Sequence, residues 1–173
     1  MVDSPARYSR PAIIAHWASA LLIALAFVFG LTVDLWPRDQ RAPWVNLHAL
    51  MGIAIVALLA FRLIWRFVQP GPGPVNDKPL EILATKIGHG ALYALSLAGA
   101  ITGVRALFLR GRGVDFGLFQ IASPFERTGD LIKPATELHE TFAYALVAVA
   151  LAHAAMALYH HFVRRDGLLD RMR

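Results

Sequence analysis

The segment HETFAYALVAVALAH, residues 139–153, begins and ends with histidine and carries one charged residue between them, Glu140. Its other residues are mostly aliphatic, as in a segment that crosses a lipid bilayer. Fourteen residues advance an α-helix by about 21 Å and rotate it by about 1,400°, which is about 40° short of four full turns. The segment therefore predicts a membrane helix on which His139 and His153 point the same way from two different depths.

Three further blocks of the chain are as long and as apolar as this one. The chain has 173 residues, of which 57% are hydrophobic and 17% are charged, whereas soluble domains have about 25% charged residues. Each block exceeds the roughly 20 residues that a bilayer requires, and none shows the polar stripe of a soluble bundle. We therefore predict an all-α fold, an integral membrane four-helix bundle that forms a single membrane domain over residues 1–173. The predicted helices span about 9–36, 46–68, 80–109 and 136–163.

The basic residues give an orientation. The N-terminus, the second connection and the C-terminal tail hold more Lys and Arg than the other two connections, so the positive-inside rule places both termini in the cytoplasm. The net charge of +5 fits anchoring at the membrane surface, and we expect no nucleic-acid partner. Since the chain has no cysteine, disulfides and thiolate metal sites are excluded.

The connections between the blocks differ in character. The longest, residues 110–136, contains VDFGLFQI (114–121), which we expect to lie on the membrane surface as a short amphipathic element. Thr136 is the expected cap of the fourth helix, and Asn76 or Asp77 that of the third.

All seven histidines fall within or at the ends of the four apolar blocks. An imidazole without a partner is costly in hydrocarbon, so a histidine inside the membrane is a functional candidate. The alternative is a hydrogen bond between helices, to Ser, Thr or a backbone carbonyl. Seven such residues, with no other polar cluster to pair them, favour the functional interpretation. The histidines are His16, His48, His89, His139, His153, His160 and His161.

Four of these histidines form two pairs by depth. The second helix starts at the periplasmic side, so His48 is level with His139. The first helix starts at the cytoplasmic side, and His16 is the histidine nearest in depth to His153. We therefore predict one pair toward each side of the membrane.

Two neutral imidazoles from facing helices suit haem, which takes one axial ligand on each face. Closed zinc sites require four ligands, and no depth offers four histidines. An iron site with two histidines and one carboxylate would need an acid at the same depth, and only Glu137 and Glu140 beside His139 could serve. The sequence therefore predicts two haem groups.

The chain resembles the prokaryotic cytochrome b561 family over essentially its whole length. The resemblance rests on the segments YSRPAIIAHW, NLHALMG, KIGHGALYALSLAGAITG, LHETFAYALVAVALAH and HHFVRRDGLLDRM. It implies a multi-pass protein of the bacterial inner membrane with two haem b groups, bound through His16, His48, His139 and His153. It also implies electron transfer between a membrane quinone and a small donor or acceptor at the periplasmic face. One reaction associated with such proteins is superoxide oxidation with ubiquinone as acceptor.

The remaining histidines suggest a quinone site. His160 lies seven residues after His153, so it is on nearly the same face about two turns nearer the cytoplasm. His89 lies near the cytoplasmic end of the third helix. Imidazole can donate a hydrogen bond and a proton to a quinone oxygen, so we predict that His89 and His160 approach each other beneath the inner haem. The alternative is that they are interfacial polar residues, which is our interpretation of His161.

The basic residues near the membrane have two interpretations each. At the outer face, Arg105, Arg127 and Lys133 could neutralise haem propionates or attract a small anion, or could form a solvated basic rim. Elsewhere we interpret the arginines as anchors whose charged heads reach toward the interface, with contacts to haem propionates as the alternative. These arginines are Arg62, Arg66, Arg164 and Arg165.

Two other functions stay open. The chain could be the cytochrome b subunit of a larger dehydrogenase or hydrogenase complex. A protein of another class, a histidine-lined metal-ion transporter, is disfavoured because acidic residues are nearly absent from the helices. If the chain is itself an enzyme, it is an oxidoreductase that passes electrons from superoxide or another donor to ubiquinone.

Overall fold

The computed structural model describes residues 7–75 and 78–173. Each of four helices in this part of the chain is long and apolar enough to cross a bilayer. Many of their large hydrophobic side chains are exposed on the outside of the bundle, where lipid would cover them. The predicted all-α membrane four-helix bundle is thus confirmed. The helices are α1 (Arg10–Thr32), α2 (Arg41–Val68), α3 (Pro79–Leu109) and α4 (Gly129–Tyr159).

Prolines start two of the helices. Each of α1 and α3 has a proline in its first two positions, Pro11 and Pro79, where the missing N–H has no partner to lose. The residue that caps α3 is Lys78. The caps expected there, Asn76 and Asp77, lie outside the described residues.

The fourth helix starts earlier than the sequence suggested. It begins at Gly129 rather than near residue 136 and includes Pro134. Thr136 is therefore not a cap, and its hydroxyl donates to the carbonyl of Ile132 at 2.7 Å. Hydropathy marks the part of a helix that lies in the bilayer, whereas a helix can extend into the polar region through residues that hydropathy does not register.

Small side chains line the contacts between helices. The most extensive contacts join α1 to α2 and α3 to α4. The buried residues of α3 include Ser96, Gly99 and Thr102, and α1 buries Ala15 and Ser19. Small residues let membrane helices approach closely. The hydroxyls of Ser19, Ser96 and Thr102 each donate to a carbonyl of their own helix.

The longest connection forms a β-hairpin. Strand β1 (Val114–Asp115) pairs with the antiparallel strand β2 (Gln120–Ile121), and Gly117 between them has φ +82°, a conformation that favours glycine. Asn46 holds the hairpin against α2, because its Nδ2 donates to the Asp115 carbonyl at 2.8 Å and its Oδ1 accepts from the Asp115 N–H at 2.9 Å. We call this end of the bundle the hairpin end.

The C-terminal tail folds back across the opposite end. The chain turns at Arg165, whose φ is +52°. The Arg171 carbonyl then accepts from the Tyr8 N–H at 3.1 Å, and the Met172 carbonyl accepts from Trp17 Nε1 at 2.9 Å. Both ends of the described chain thus lie at one end of the bundle, which we call the terminal end.

Candidate haem-binding sites

The first pair of histidines lies toward the hairpin end. His48 on α2 and His139 on α4 have ring centres 5.8 Å apart, with ring planes at 87°. His139 Nδ1 lies 2.9 Å from the Gly99 carbonyl. A carbonyl only accepts hydrogen bonds, so this nitrogen carries the hydrogen and Nε2 keeps a free lone pair. That is the tautomer with which histidine binds a metal through Nε2.

Glycines make room for both rings of this pair. A Cβ atom at Gly103 would lie 2.9 Å from Cε1 of His139, and one at Gly30 would lie 3.4 Å from Cε1 of His48. The Gly99-x-x-x-Gly103 face of α3 therefore both seats the imidazole and accepts its hydrogen bond.

His48 has an unusual buried nitrogen. Its Nδ1 is buried and has no hydrogen-bond partner among the described residues. Buried polar atoms nearly always have a partner, so this nitrogen marks a place where the bundle interior is suited to another group.

The second pair lies toward the terminal end. His16 on α1 and His153 on α4 have ring centres 6.3 Å apart, with planes at 62°. His89 on α3 lies close to the same pair, 5.3 Å from His153 between ring centres. Nη2 of Arg62 is 3.2 Å from Nδ1 of His16. The structure thus brings together the same two pairs that the depth argument predicted, and adds His89 and Arg62 to the second.

The geometry of both pairs suits a metal between two imidazoles. Two imidazoles that held one metal ion between them would have ring centres about 6 Å apart, since each metal–nitrogen bond would be about 2 Å and each nitrogen lies about 1 Å from its ring centre. Nothing lies within 4 Å of a Cβ placed at Gly52, four residues after His48, or at Gly99, so there is open space next to these two glycines. No group of three or more His, Asp or Glu side chains that could hold a metal ion occurs in residues 7–75 and 78–173.

Comparison with known proteins shows a relationship over nearly the whole chain. The family described as prokaryotic cytochrome b561 matches residues 7–173. The chain belongs to this family. It is therefore a multi-pass bacterial membrane protein and a cytochrome b electron carrier, and the cofactor that the family implies is haem b.

Curated relatives agree with this assignment. "Cytochrome b561 homolog 2" of Escherichia coli (strain K12) is 34% identical over 176 residues, covering 98% of this chain and 93% of the relative. "Probable superoxide oxidase CybB" of Yersinia pestis is 31% identical, covering 96% of this chain and 95% of the relative. "Cytochrome b562" of Cereibacter sphaeroides is 30% identical, covering 95% and 94%.

At the terminal end, His160 has a partner that the sequence did not suggest. Its Nδ1 lies 2.6 Å from Oδ2 of Asp166, which follows the turn after α4. Burial opposes ionisation of Asp166, but the hydrogen bonds from His160 and from the Leu168 N–H outweigh it and hold the pKa of Asp166 below its ordinary value. In the described part of the chain, His160 and His89 share no ring contact or hydrogen bond. The ring next to His160 is that of Tyr159, and the ring next to His89 is that of His153.

The arginines near the terminal end also differ from the expectation. Nη1 of Arg164 lies 2.7 Å from Oε2 of Glu81, and Nε of the same residue lies 3.6 Å from Oδ2 of Asp166. Arg164 thus ties α4 to α3 and to the tail, in addition to any anchoring at the interface. Arg62 points inward to His16, which is not the direction of an anchor.

A charged cavity of about 500 Å³ opens at the hairpin end, near the start of α4. It is lined by three basic residues, Arg110, Arg127 and Lys133, and by the acidic Glu137 and Glu140. Lys133 pairs with Glu137 at 3.8 Å. Arg105 is exposed and is not among the lining residues. Arg110 did not stand out in the sequence. It bonds to the Thr136 hydroxyl at 2.7 Å, and burial together with nearby Arg112 lowers its pKa from the ordinary value.

Proposed function

We propose that this chain is a transmembrane di-haem b electron carrier that links a quinone in the bacterial inner membrane to a small partner at the periplasmic face. The observation that carries the proposal is the presence of two facing imidazole pairs at two depths, with ring centres 5.8 Å and 6.3 Å apart. Haem b, when bound, supplies one-electron transfer at its iron. His139 and His153 lie about 21 Å apart along the axis of α4. Haem groups held at these two depths would carry electrons across most of the bilayer.

Each histidine has a definite role in this proposal. His48 and His139 hold the hairpin-end haem, and His16 and His153 hold the terminal-end haem. With two histidines to hold each group, haem b would supply electron transfer there rather than oxygen binding. The Gly99 carbonyl orients His139, as partners of metal-binding histidines generally do.

The experiment is a haem count followed by a set of single substitutions. Purified protein should contain two non-covalent, low-spin haems per chain in a pyridine haemochrome assay. His48→Ala and His139→Ala should remove the same haem, and His16→Ala and His153→Ala the other. One haem per chain, or loss of one common haem in His16→Ala and His139→Ala, would contradict the two-pair arrangement.

For orientation, the proposal places the terminal end in the cytoplasm. The excess of Lys and Arg in the terminal segments and in the second connection supports this side. A reporter that works in the cytoplasm should be active when fused after Arg173, and a reporter that requires export should be inactive there. Activity of a reporter that requires export would reverse the orientation and exchange the two faces.

The quinone is assigned to the terminal end. Ubiquinone takes up two electrons and two protons when it is reduced, so its site needs a hydrogen-bond donor connected to water. His160 donates from Nδ1 to Asp166 at 2.6 Å, and its Nε2 would donate to a quinone oxygen in the protonated imidazolium form, which the carboxylate favours. His89 is the second candidate, but its proximity to His153 means that His89→Leu can also disturb a haem. His160→Leu is therefore the sharper test: both haems should stay while quinone-linked turnover falls and reduction by an artificial donor does not.

The partner at the hairpin end is proposed to be a small anion, with superoxide as the leading candidate. The cavity at the hairpin end has three basic residues, Arg110, Arg127 and Lys133, against two acidic ones, and this excess of positive charge supports an anion. One relative is named a probable superoxide oxidase. Superoxide would give up one electron and leave as dioxygen, so two superoxide ions and two protons would be consumed for each ubiquinone reduced to ubiquinol. Arg105 lies outside the cavity and has at most a long-range effect.

Two alternatives predict different observations. A cytochrome b subunit of a larger dehydrogenase or hydrogenase would contain the same haems but would co-purify with another protein. A metal-ion transporter would lack the sharp haem bands in a reduced-minus-oxidised spectrum. It would also need converging metal ligands, and the described residues contain no group of three or more.

A further inference from the structure

Arg62 is a cation that points into the membrane part of the bundle. It lies on α2 six residues before Val68, which is about 9 Å from the end of the helix. Its Nη2 lies 3.2 Å from Nδ1 of His16, and its Cζ lies 5.4 Å from the ring centre of Tyr93. An anchoring arginine would turn its charged head toward water, whereas this one faces the second histidine pair.

This guanidinium has no acidic partner in the described part of the chain. At the terminal end, the carboxylates of Glu81 and Asp166 both pair with Arg164. Among the described residues, Arg62 forms no ion pair. Charged side chains inside a membrane are normally paired with an opposite charge. Arg62 is therefore suited to an anion that the protein itself does not provide.

The chemistry of His16 indicates which anion this is. A histidine that binds iron through Nε2 keeps its hydrogen on Nδ1, and then Nδ1 and the guanidinium are both donors and cannot bond to each other. The guanidinium must have another acceptor close by. Haem b carries two propionate groups, and carboxylates are the acceptors that bind arginine most strongly, often through two hydrogen bonds.

We propose that Arg62 binds a propionate of the haem held by His16 and His153 and raises the midpoint potential of that haem. The inference rests on the proposed haem ligation. Oxidised haem carries one more positive charge than reduced haem, so a fixed cation nearby favours the reduced form and raises the potential. The effect falls with distance, and the hairpin-end haem lies about 21 Å further along the bundle. The effect therefore falls mainly on one of the two haems.

The test is a spectroelectrochemical titration of three purified variants. Arg62→Gln removes the charge, and Arg62→Lys keeps the charge but loses the planar pair of donors. Arg66→Gln is the matched control, since Arg66 lies about one turn further along the same helix and is exposed. We expect Arg62→Gln to lower the midpoint potential of the component that is absent in His16→Ala, with smaller changes in Arg62→Lys and in Arg66→Gln.

The outcomes separate this inference from the haem proposal. If Arg62→Gln loses only that haem and Arg62→Lys keeps it, the result also supports binding of the haem propionate by Arg62. Two intact haems with unchanged potentials in Arg62→Gln would overturn the role of Arg62 and leave the haem proposal standing. Equal shifts of both components, or the same shift in Arg66→Gln, would also overturn it. Wild-type protein that contains no haem dependent on His16 would instead contradict the haem proposal itself.

Discussion

Gly103 provides a test of how His139 is positioned. A Cβ atom at this position would lie 2.9 Å from Cε1 and 3.1 Å from Nδ1 of His139. Carbon atoms in good contact are about 3.5–4.0 Å apart, so Gly103→Ala must displace the imidazole by roughly 0.5 Å. The methyl group sits on the backbone of α3 and cannot move away, so the ring has to move.

The displacement acts on the hydrogen bond that fixes the tautomer. Nδ1 of His139 now lies 2.9 Å from the Gly99 carbonyl, and a shift of this size takes the bond toward or beyond the range of good hydrogen bonds. Loss of such a supporting partner weakens metal binding by about 10–100-fold, and inserting a methyl into a packed site costs about 1–3 kcal/mol. We therefore expect the hairpin-end haem to bind about 10–100-fold more weakly in Gly103→Ala, while the terminal-end haem is unchanged.

The assay is haem titration of purified protein, followed through the reduced-minus-oxidised bands of the two components. Gly90→Ala is the matched control, since Gly90 is exposed on the same helix and a Cβ there meets nothing within 4 Å. It should bind both haems as the wild type does. If Gly103→Ala also kept both haems with unchanged affinity, or lost the terminal-end haem instead, the proposed seating of His139 on α3 would be refuted.

Three further predictions concern the two ends of the bundle. Asn46→Ala removes both hydrogen bonds to Asp115, about 1 kcal/mol each, so limited proteolysis should cut the hairpin faster, and an unchanged rate would show that other contacts hold it. Because the pKa of Asp166 is lowered by its bond with His160, this contact stabilises the fold above the unfolded pKa of about 3.9 and is lost as pH falls through the lower folded value. Thermal unfolding of the wild type should therefore lose stability in that acid range, and Asp166→Asn should lack this component of the pH dependence. Arg127→Gln should slow haem reduction by superoxide at low ionic strength and weaken its salt dependence in stopped-flow measurements, whereas equal salt dependence would place the anion elsewhere.

The sequence by itself determined the class of fold and the two histidine pairs. Apolar runs long enough to cross a bilayer as a helix are rare outside membranes. Four such runs therefore predict a membrane bundle without knowledge of packing. The helical rise and rotation relate His139 to His153 from their spacing alone. Because the helices alternate in direction, few other histidines lie at the depth of His139 or of His153. The structure has the same two pairs in contact.

The sequence was weaker where backbone hydrogen bonds matter more than hydropathy. The start of α4 at Gly129 and the β-hairpin at residues 114–121 both lie outside the apolar runs. Burial in lipid imposes no pattern on such residues. Their structure follows from local turns, such as the one at Gly117, and from contacts with distant residues, such as Asn46.

Only the tertiary structure decided which groups support the histidines. The Gly99 carbonyl, the guanidinium of Arg62 and the carboxylate of Asp166 each reach a histidine from another helix or from the tail. A helix fixes the relative directions of its own side chains, but its rotation against a neighbouring helix is set by the packing of both surfaces. That rotation decides whether an arginine near a helix end turns toward water or toward the interior, and here it turns Arg62 to the interior.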